Sequence, residues 1–232
     1  MNSFVLKVIA CITMFIDHIG YAIFNGPSWF NYIGRIAFPI FAFQISEGYA
    51  HTRNIKKYLL RLFIFAIISQ IPFMLFISII HDGFGLNVIF TLLFGLISTI
   101  VYDKYNKFCG IIVAIVLGII AQISNCDYGF YGVCITFLFH VCNKSKLLLS
   151  LGFIIPTLIK YAYDICKYYT YGTDVLKNAF QYYFPYAICT LLSILFIVLY
   201  NKKKGPNTRY LLYLFYPLHM LLVYGISLVL QS

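Results

Sequence analysis

Residues 17–53 read DHIGYAIFNGPSWFNYIGRIAFPIFAFQISEGYAHTR, and their reading decides the fold. The pattern is the end of one membrane helix, a short Gly-Pro-Trp turn and a whole second helix. Charge is expensive in hydrocarbon, yet these apolar segments carry Asp17, His18, Arg35 and Glu47. Ionisable groups within a membrane are rare and usually mark functional sites. A structural Asp–Arg pair beside a hydrogen-bonded core histidine would account for the same residues.

The rest of the chain has the composition of a membrane protein. Of its 232 residues 62% are hydrophobic, 19% aromatic and 10% charged, and the mean hydropathy is +0.86. A soluble domain carries roughly a quarter charged residues. The apolar runs are continuous, whereas a transmembrane barrel alternates apolar and polar positions. The fold class is therefore all-α and polytopic, because a helix satisfies its own backbone inside lipid. The first span carries Asp17 and lacks a small-residue cleavage site, so it is expected to stay as a helix. The seven cysteines show no CxxC and read as small buried hydrophobes rather than metal ligands or disulfides.

A span takes roughly 20 apolar residues, fewer where it is partly buried in protein. Nine fit: 4–24, 30–50, 57–80, 87–102, 108–124, 129–142, 146–161, 185–200 and 210–230. With the N-terminus inside, thirteen of the 17 Lys and Arg residues fall in cytoplasmic segments. Lys160, Lys167 and Lys177 lie opposite, and Arg35 lies within the membrane. That bias places the N-terminus in the cytoplasm of a cell-membrane protein. It also explains the net charge of +10 without nucleic acid. Trp29, Tyr32, Tyr161 and Tyr163 are expected at the outer interface, and Tyr49, Tyr58, Tyr200 and Tyr210 at the inner one. Residues 162–184 read as a Tyr-rich outer loop. One membrane domain, 1–232, accounts for the chain.

At about 1.5 Å per residue, His18 lies about 21 Å from the inner face and Arg35 about 8 Å from the outer one. In a core roughly 30 Å thick these depths coincide. Successive side chains on a helix point in different directions, so Asp17 cannot readily orient His18. Asp17 is assigned to neutralising Arg35, and His18 to a cavity.

Glu47 is the chain's only Glu and stands near the inner end of the second helix. With His51, Arg53, Lys57 and Arg61 it is expected to frame a cytoplasmic entrance for an anionic cofactor, the basic groups gripping phosphates. Pairing of Glu47 with Arg53 or Lys56 is the simpler alternative, and positive loops are expected there in any case. Gln70 and Pro72 suggest a broken third helix. His81-Asp82, Asn87 and Asp127-Tyr128-Gly129 fall at the outer side. His219, beside Pro217 in the last helix, is open to structural and functional readings alike. No GxSxG, HExxH, P-loop or Rossmann fingerprint occurs.

FIDHIG at 15–20, GRIAFPIFAFQISEGYAHTRN at 34–54, KKYLLRLFIFAIISQIPF at 56–73, NVIFTLLFG at 87–95 and YLFYPLHM at 213–220 together resemble the TraX family. The resemblance runs over almost the whole chain and is weakest across 143–185. It implies a membrane-embedded acyltransferase drawing on cytoplasmic acetyl-CoA, with no metal. The founding member acetylates the N-terminal amine of a conjugative pilin, and related transferases act on glycans. The implied partners are acetyl-CoA, membrane lipid and a peptide or glycan acceptor. In those relatives a first-helix histidine serves the transfer, and His18 matches it.

Acyl transfer from a thioester needs a base for the acceptor's proton and a donor or positive charge for the oxyanion. His18 suits the first role, and Arg35 or a helix-bound amide the second. The rival reading is a proton-coupled carrier or channel using Asp17, His18, Arg35, Glu47 and His219. Paired halves with matching broken helices, the usual mark of an inverted-repeat transporter, are not evident.

Overall fold

The computed structural model describes residues 1–24, 28–80, 83–206 and 209–231, without the side chains of 209–212 and 231. Expectations resting on His81, Asp82 and the side chains of Arg209 and Tyr210 lie outside the described residues. Within them the chain is all helix: α1 (Ser3–Phe24), α2 (Trp29–Gly34), α3 (Ala37–Ala50), α4 (Ile55–Ile68), α5 (Gln70–Ile77), α6 (Val88–Lys104), α7 (Lys107–Ile123), α8 (Gly129–Val141), α9 (Lys146–Cys166), α10 (Thr173–Val198) and α11 (Arg209–Gln231). A single 3₁₀ turn, Tyr169–Tyr171, joins α9 to α10.

Five helical runs are long and apolar enough to cross a bilayer: Ser3–Phe24, Ile55–Ile77, Lys146–Tyr171, Thr173–Val198 and Tyr213–Leu230. Their outward faces are apolar. Ile111, Ile115 and Ile119 of α7 and Leu151, Ile155 and Ile159 of α9 are all exposed. This is a multi-pass membrane protein, as a cell-membrane location requires.

Two helices are broken, and proline explains both. Proline lacks an N–H and its ring crowds the carbonyl four residues earlier. Pro72 acts on Ile68, and α4 gives way to α5 at Ser69. The second expected span, 30–50, is not one helix: Pro39 acts on Arg35, and α2 stops at Gly34 before α3 starts at Ala37. The chain bridges that gap with i→i−3 bonds, Arg35 N to Tyr32 O and Ile36 N to Ile33 O, both 3.2 Å. The break turns the Arg35 side chain toward α1.

At the α4–α5 break, polar side chains take up exposed backbone groups. Asn87 donates to Ala66 O at 2.7 Å, and Gln70 donates to Gly85 O at 2.7 Å. The two amides also bond each other, Asn87 Nδ2 to Gln70 Oε1 at 2.9 Å. This lock ties the 83–87 loop to the broken helix.

The expected outer loop 162–184 is instead almost all helix. Pro185, read as a helix start, lies inside α10. The polar turns before it are held by aromatic contacts one turn apart, Phe180 with Phe184 at 5.1 Å and Tyr182 with Tyr186 at 5.2 Å. Three of the expected interfacial tyrosines are also buried. Tyr49 and Tyr58 join the core, and Tyr161 shares a 2.8 Å hydroxyl bond with Thr190 of α10. All seven cysteines are free, and Cys109 and Cys166 are exposed on outward faces rather than buried.

The main core runs from Leu6 and Ala10 of α1 through Ile40 and Phe43 of α3 to Met220 and Val223 of α11. In lipid, helices associate by close packing rather than by hydrophobic exclusion, so small residues matter at contacts. Gly34 is the closest case: a Cβ there would fall 2.2 Å from the Cβ of Asp17. No other residue fits where α2 meets α1.

Candidate functional site

The α1–α2 contact builds the first half of the site. Arg35 Nη2 lies 3.1 Å from both oxygens of Asp17, and its Nε donates to Asn31 O at 3.2 Å. Asn31 is fully buried and donates from Nδ2 to the Asp17 side chain and carbonyl, both at 3.0 Å. Its side-chain oxygen accepts from the N–H of Ser28 at 2.9 Å. Both oxygens of the carboxylate are therefore bonded. On Arg35, Nη1 has no hydrogen bond among the described residues, while the guanidinium lies over the Tyr186 ring at 5.4 Å.

The second half comes from the far end of the sequence. His18 Nδ1 lies 2.8 Å from Nε2 of His219, 201 positions away. The two rings are parallel to within 8°, with centroids 4.9 Å apart. His219 Nδ1 lies 2.7 Å from Phe215 O, one turn back along α11. A carbonyl only accepts, so His219 Nδ1 carries a proton and, in the neutral ring, Nε2 is the acceptor. His18 must then donate from Nδ1, which leaves the lone pair of neutral His18 on Nε2. That nitrogen has no partner among the described residues. Phe76 of α5 packs on the His18 ring at 4.3 Å.

Asp17, His18 and Arg35 share one cavity of about 630 Å³, lined also by Phe38, Phe73, Asp127 and Tyr216 among others. Its lining reaches Gly83, Gly85 and Asn125, in the loops at the end of the bundle away from Met1. Toward the basic end, where Met1 and the Lys-rich turns lie, it stops at Met14, Phe41 and Tyr216.

Asp127 enters from the turn between α7 and α8, and that turn is rigidly held. Leu86 forms a parallel bridge to Cys126: the Leu86 N–H donates to Asn125 O at 3.1 Å and the Asp127 N–H donates to Leu86 O at 2.9 Å. Thr91 of α6 donates to the Asp127 carbonyl. Asn125 and Tyr128 both adopt left-handed backbone, φ 49 and 64. Such a conformation is uncommon for a bulky residue. Tyr128 is compensated by stacking on Phe38 at 3.8 Å. Asp127 is exposed, at the wall of the cavity. Burial pushes its carboxyl up to about 6, against the lowering influence of Arg35.

The residues expected at a cofactor entrance form a separate group, and none of Glu47, His51, Arg53, Lys57 and Arg61 lines the cavity. Glu47 is buried and accepts from Asn143 at 3.0 Å, rather than pairing with Arg53 or Lys56. His51 turns back onto the Glu47 carbonyl, 2.9 Å from Nδ1. Arg53 and Lys57 are exposed, with no ion-pair partner among the described residues, and Arg61 lies over the Tyr58 ring at 5.8 Å. This end thus offers exposed cationic side chains about 21 Å from the histidine layer, counting α1 residues.

The structure brings the sequence candidates Asp17, His18 and Arg35 together in one cavity. Sequence reasoning left the partnership of His219 open and placed Asp127 only at the outer side.

Comparison with known proteins agrees with this architecture. No solved structure matches the chain. A probable fimbrial assembly protein, FimC of serogroup H1, from Dichelobacter nodosus is 28% identical over 99% of this chain and 97% of its own length. An uncharacterized protein, RP591, of Rickettsia prowazekii (strain Madrid E) is 31% identical over 63% of this chain and 58% of its own. The family model described as TraX protein matches residues 3–227. The chain belongs to the TraX family of membrane acyltransferases.

Proposed function

We propose that this protein moves an acetyl group from cytoplasmic acetyl-CoA to an acceptor amine or hydroxyl at or across the membrane. The reading includes nine passes, a cytoplasmic N-terminus and one catalytic domain over 1–232. Its main support is the free Nε2 of His18, facing a cavity while Nδ1 is committed to His219. A base needs an accessible lone pair and a fixed ring, and this arrangement provides both.

In the proposed reaction the acceptor binds in the cavity and attacks the thioester carbonyl. His18 Nε2 takes the acceptor's proton and later returns it to the departing thiolate. His219 holds the His18 ring and, through the N–H···N bond, spreads the positive charge that develops. Arg35 Nη1 is the donor for the oxyanion, and Asp17 keeps the guanidinium aimed. A preorganised donor in a dry site is typically worth ~2.7–4 kcal/mol of barrier.

Arg53, Lys57 and Arg61 would hold the CoA phosphates at the basic end, with Glu47 and His51 shaping the entrance. The acyl arm must then pass the layer of Met14, Phe41 and Tyr216 to reach His18. The full-length likeness to a probable fimbrial assembly protein favours a peptide acceptor over a glycan.

The test has two arms. Purified protein in nanodiscs is given acetyl-CoA with membrane extract, and free thiol is followed. Peptides and glycans from cells with and without the protein are compared for an acetyl mass. Protein-dependent thiol release together with an acetylated product is expected. Proton flux in proteoliposomes without thiol release would overturn the reading in favour of a carrier.

A further inference from the structure

The cavity holds two carboxylates in different circumstances. Asp17 has both oxygens bonded, by Arg35 and Asn31. The Asp127 carboxyl bonds no other side chain among the described residues and has only the adjacent Tyr128 backbone N–H, while three devices hold its own backbone in place: the Leu86 bridge, the Thr91 bond and the left-handed Tyr128. Strained backbone that surrounding structure holds in place is typical of functional positions. The turn is held by the Leu86 backbone, the Thr91 hydroxyl and the Tyr128–Phe38 stack, none of which bonds the Asp127 carboxyl.

The charged and titratable groups around Asp127 are few. Among the described residues, Asp17 and Tyr21 of α1, Arg35 of the α2–α3 break and Tyr216 of α11 interact with it, Cys126 and Tyr128 flank it, and His18 lines the same cavity. Arg35 is the sole cation among them and its charge is already matched by Asp17. When Asp127 ionises, the described residues of the cavity carry one uncompensated negative charge near the mouth formed by the 83–85 and 124–128 loops.

We propose that Asp127 is a second catalytic residue, which binds a protonated acceptor amine and removes its first proton. The inference rests on the acyl-transfer reading and narrows it to amines. An ammonium has no lone pair, so it must lose one proton before it can attack and a second afterwards. Asp127 carboxylate takes the first, becoming the neutral acid. The freed nitrogen lone pair forms the N–C bond to the acetyl carbonyl as the C–S bond breaks. His18 Nε2 takes the second proton and passes it to the thiolate. Amide, CoA thiol and one proton result, and Asp127 returns its proton through the mouth. A carboxyl that titrates near 6 is a serviceable base at neutral pH.

The experiment uses full-length protein in nanodiscs, acetyl-CoA and two probes: an apolar peptide with a free α-amine, and a chitin-type oligosaccharide offering hydroxyls. Thiol release is measured from pH 6.5 to 9 for the native protein and for Asp127→Asn. An α-amino group titrates at about 7.7–8.0. Asp127→Asn is expected to lose at least tenfold with the peptide at pH 7, and to come within about twofold at pH 9, where the amine is already free. A loss equal at every pH, or none, would overturn the proposal while leaving acyl transfer intact. Native protein that acetylates only the oligosaccharide would also overturn it. Native protein that releases no thiol with either probe would count against acyl transfer itself.

A second measurement does not depend on a folded variant. Labelling of native Asp127 by a hydrophobic carbodiimide, which requires the protonated acid, should rise as pH falls through about 6 and be slowed by the amine peptide. Labelling indifferent to the peptide would contradict the binding role.

Discussion

His18 of α1 and His219 of α11 meet through a 2.8 Å N–H···N bond that fixes which nitrogen of each ring carries a proton. α1 and α11 meet in one site, and the Phe215 carbonyl is the fixed point from which the proton positions follow. His219→Phe keeps much of the ring's packing but leaves His18 Nδ1 without an acceptor. The expected result is a fall in kcat of ~10–100-fold with little change in the KM for acetyl-CoA, because a lost orienting contact acts on the transition state rather than on donor binding. His219→Gln, which can accept through its side-chain oxygen, should recover part of that loss. Equal activity for Phe and Gln variants would deny His219 an orienting role.

The Asp17–Arg35 pair makes a separable prediction about stability. Asp17→Asn leaves the guanidinium short of its counter-charge in a buried site, and breaking one side of such a pair typically costs ~3–5 kcal/mol. Thermal unfolding in detergent should therefore shift down markedly. Adding Arg35→Leu removes the orphan charge and should restore part of the stability without restoring activity. Strictly additive losses would mean that the 3.1 Å contact carries no coupling.

At the basic end, Arg53→Ala combined with Lys57→Ala should raise the KM for acetyl-CoA while kcat holds at saturating donor, the pattern of lost uniform binding. An unchanged KM would leave these side chains with a topological role alone.

Orientation is open to direct test with reporters. A fusion after Lys204 is expected in the cytoplasm and one within 167–172 on the opposite side. Both on one side would contradict the nine-pass arrangement.

Much of this architecture is legible in the sequence. The apolar runs give the class, and helix rise alone puts Asp17 and Arg35 in one layer. Gln70-Pro72 marks the break between α4 and α5. The break at Arg35 was legible in principle, since Pro39 stands four residues beyond it, but a continuous apolar run concealed the signal. The Tyr-rich start of α10 fell below the hydropathy of a span because aromatic pairs one turn apart, not hydropathy, hold it helical. The His18–His219 bond was not legible at all: no periodicity states that α11 lies beside α1. Asp127 was hidden for a similar reason. A short Asp-Tyr-Gly turn normally faces bulk solvent, and only tertiary pairing of its backbone with Leu86 sets Asp127, still exposed, at the cavity wall.

The central claim is that His18 is the base of acyl transfer, and one comparison tests it most directly: transfer by His18→Gln against the native protein at saturating acetyl-CoA. Glutamine retains hydrogen bonding toward His219 but cannot take up a proton. The account predicts a folded protein that still binds acetyl-CoA and loses transfer by ~10²–10⁴-fold, the usual worth of a general base. A His18→Gln protein with activity near that of the native one would contradict it.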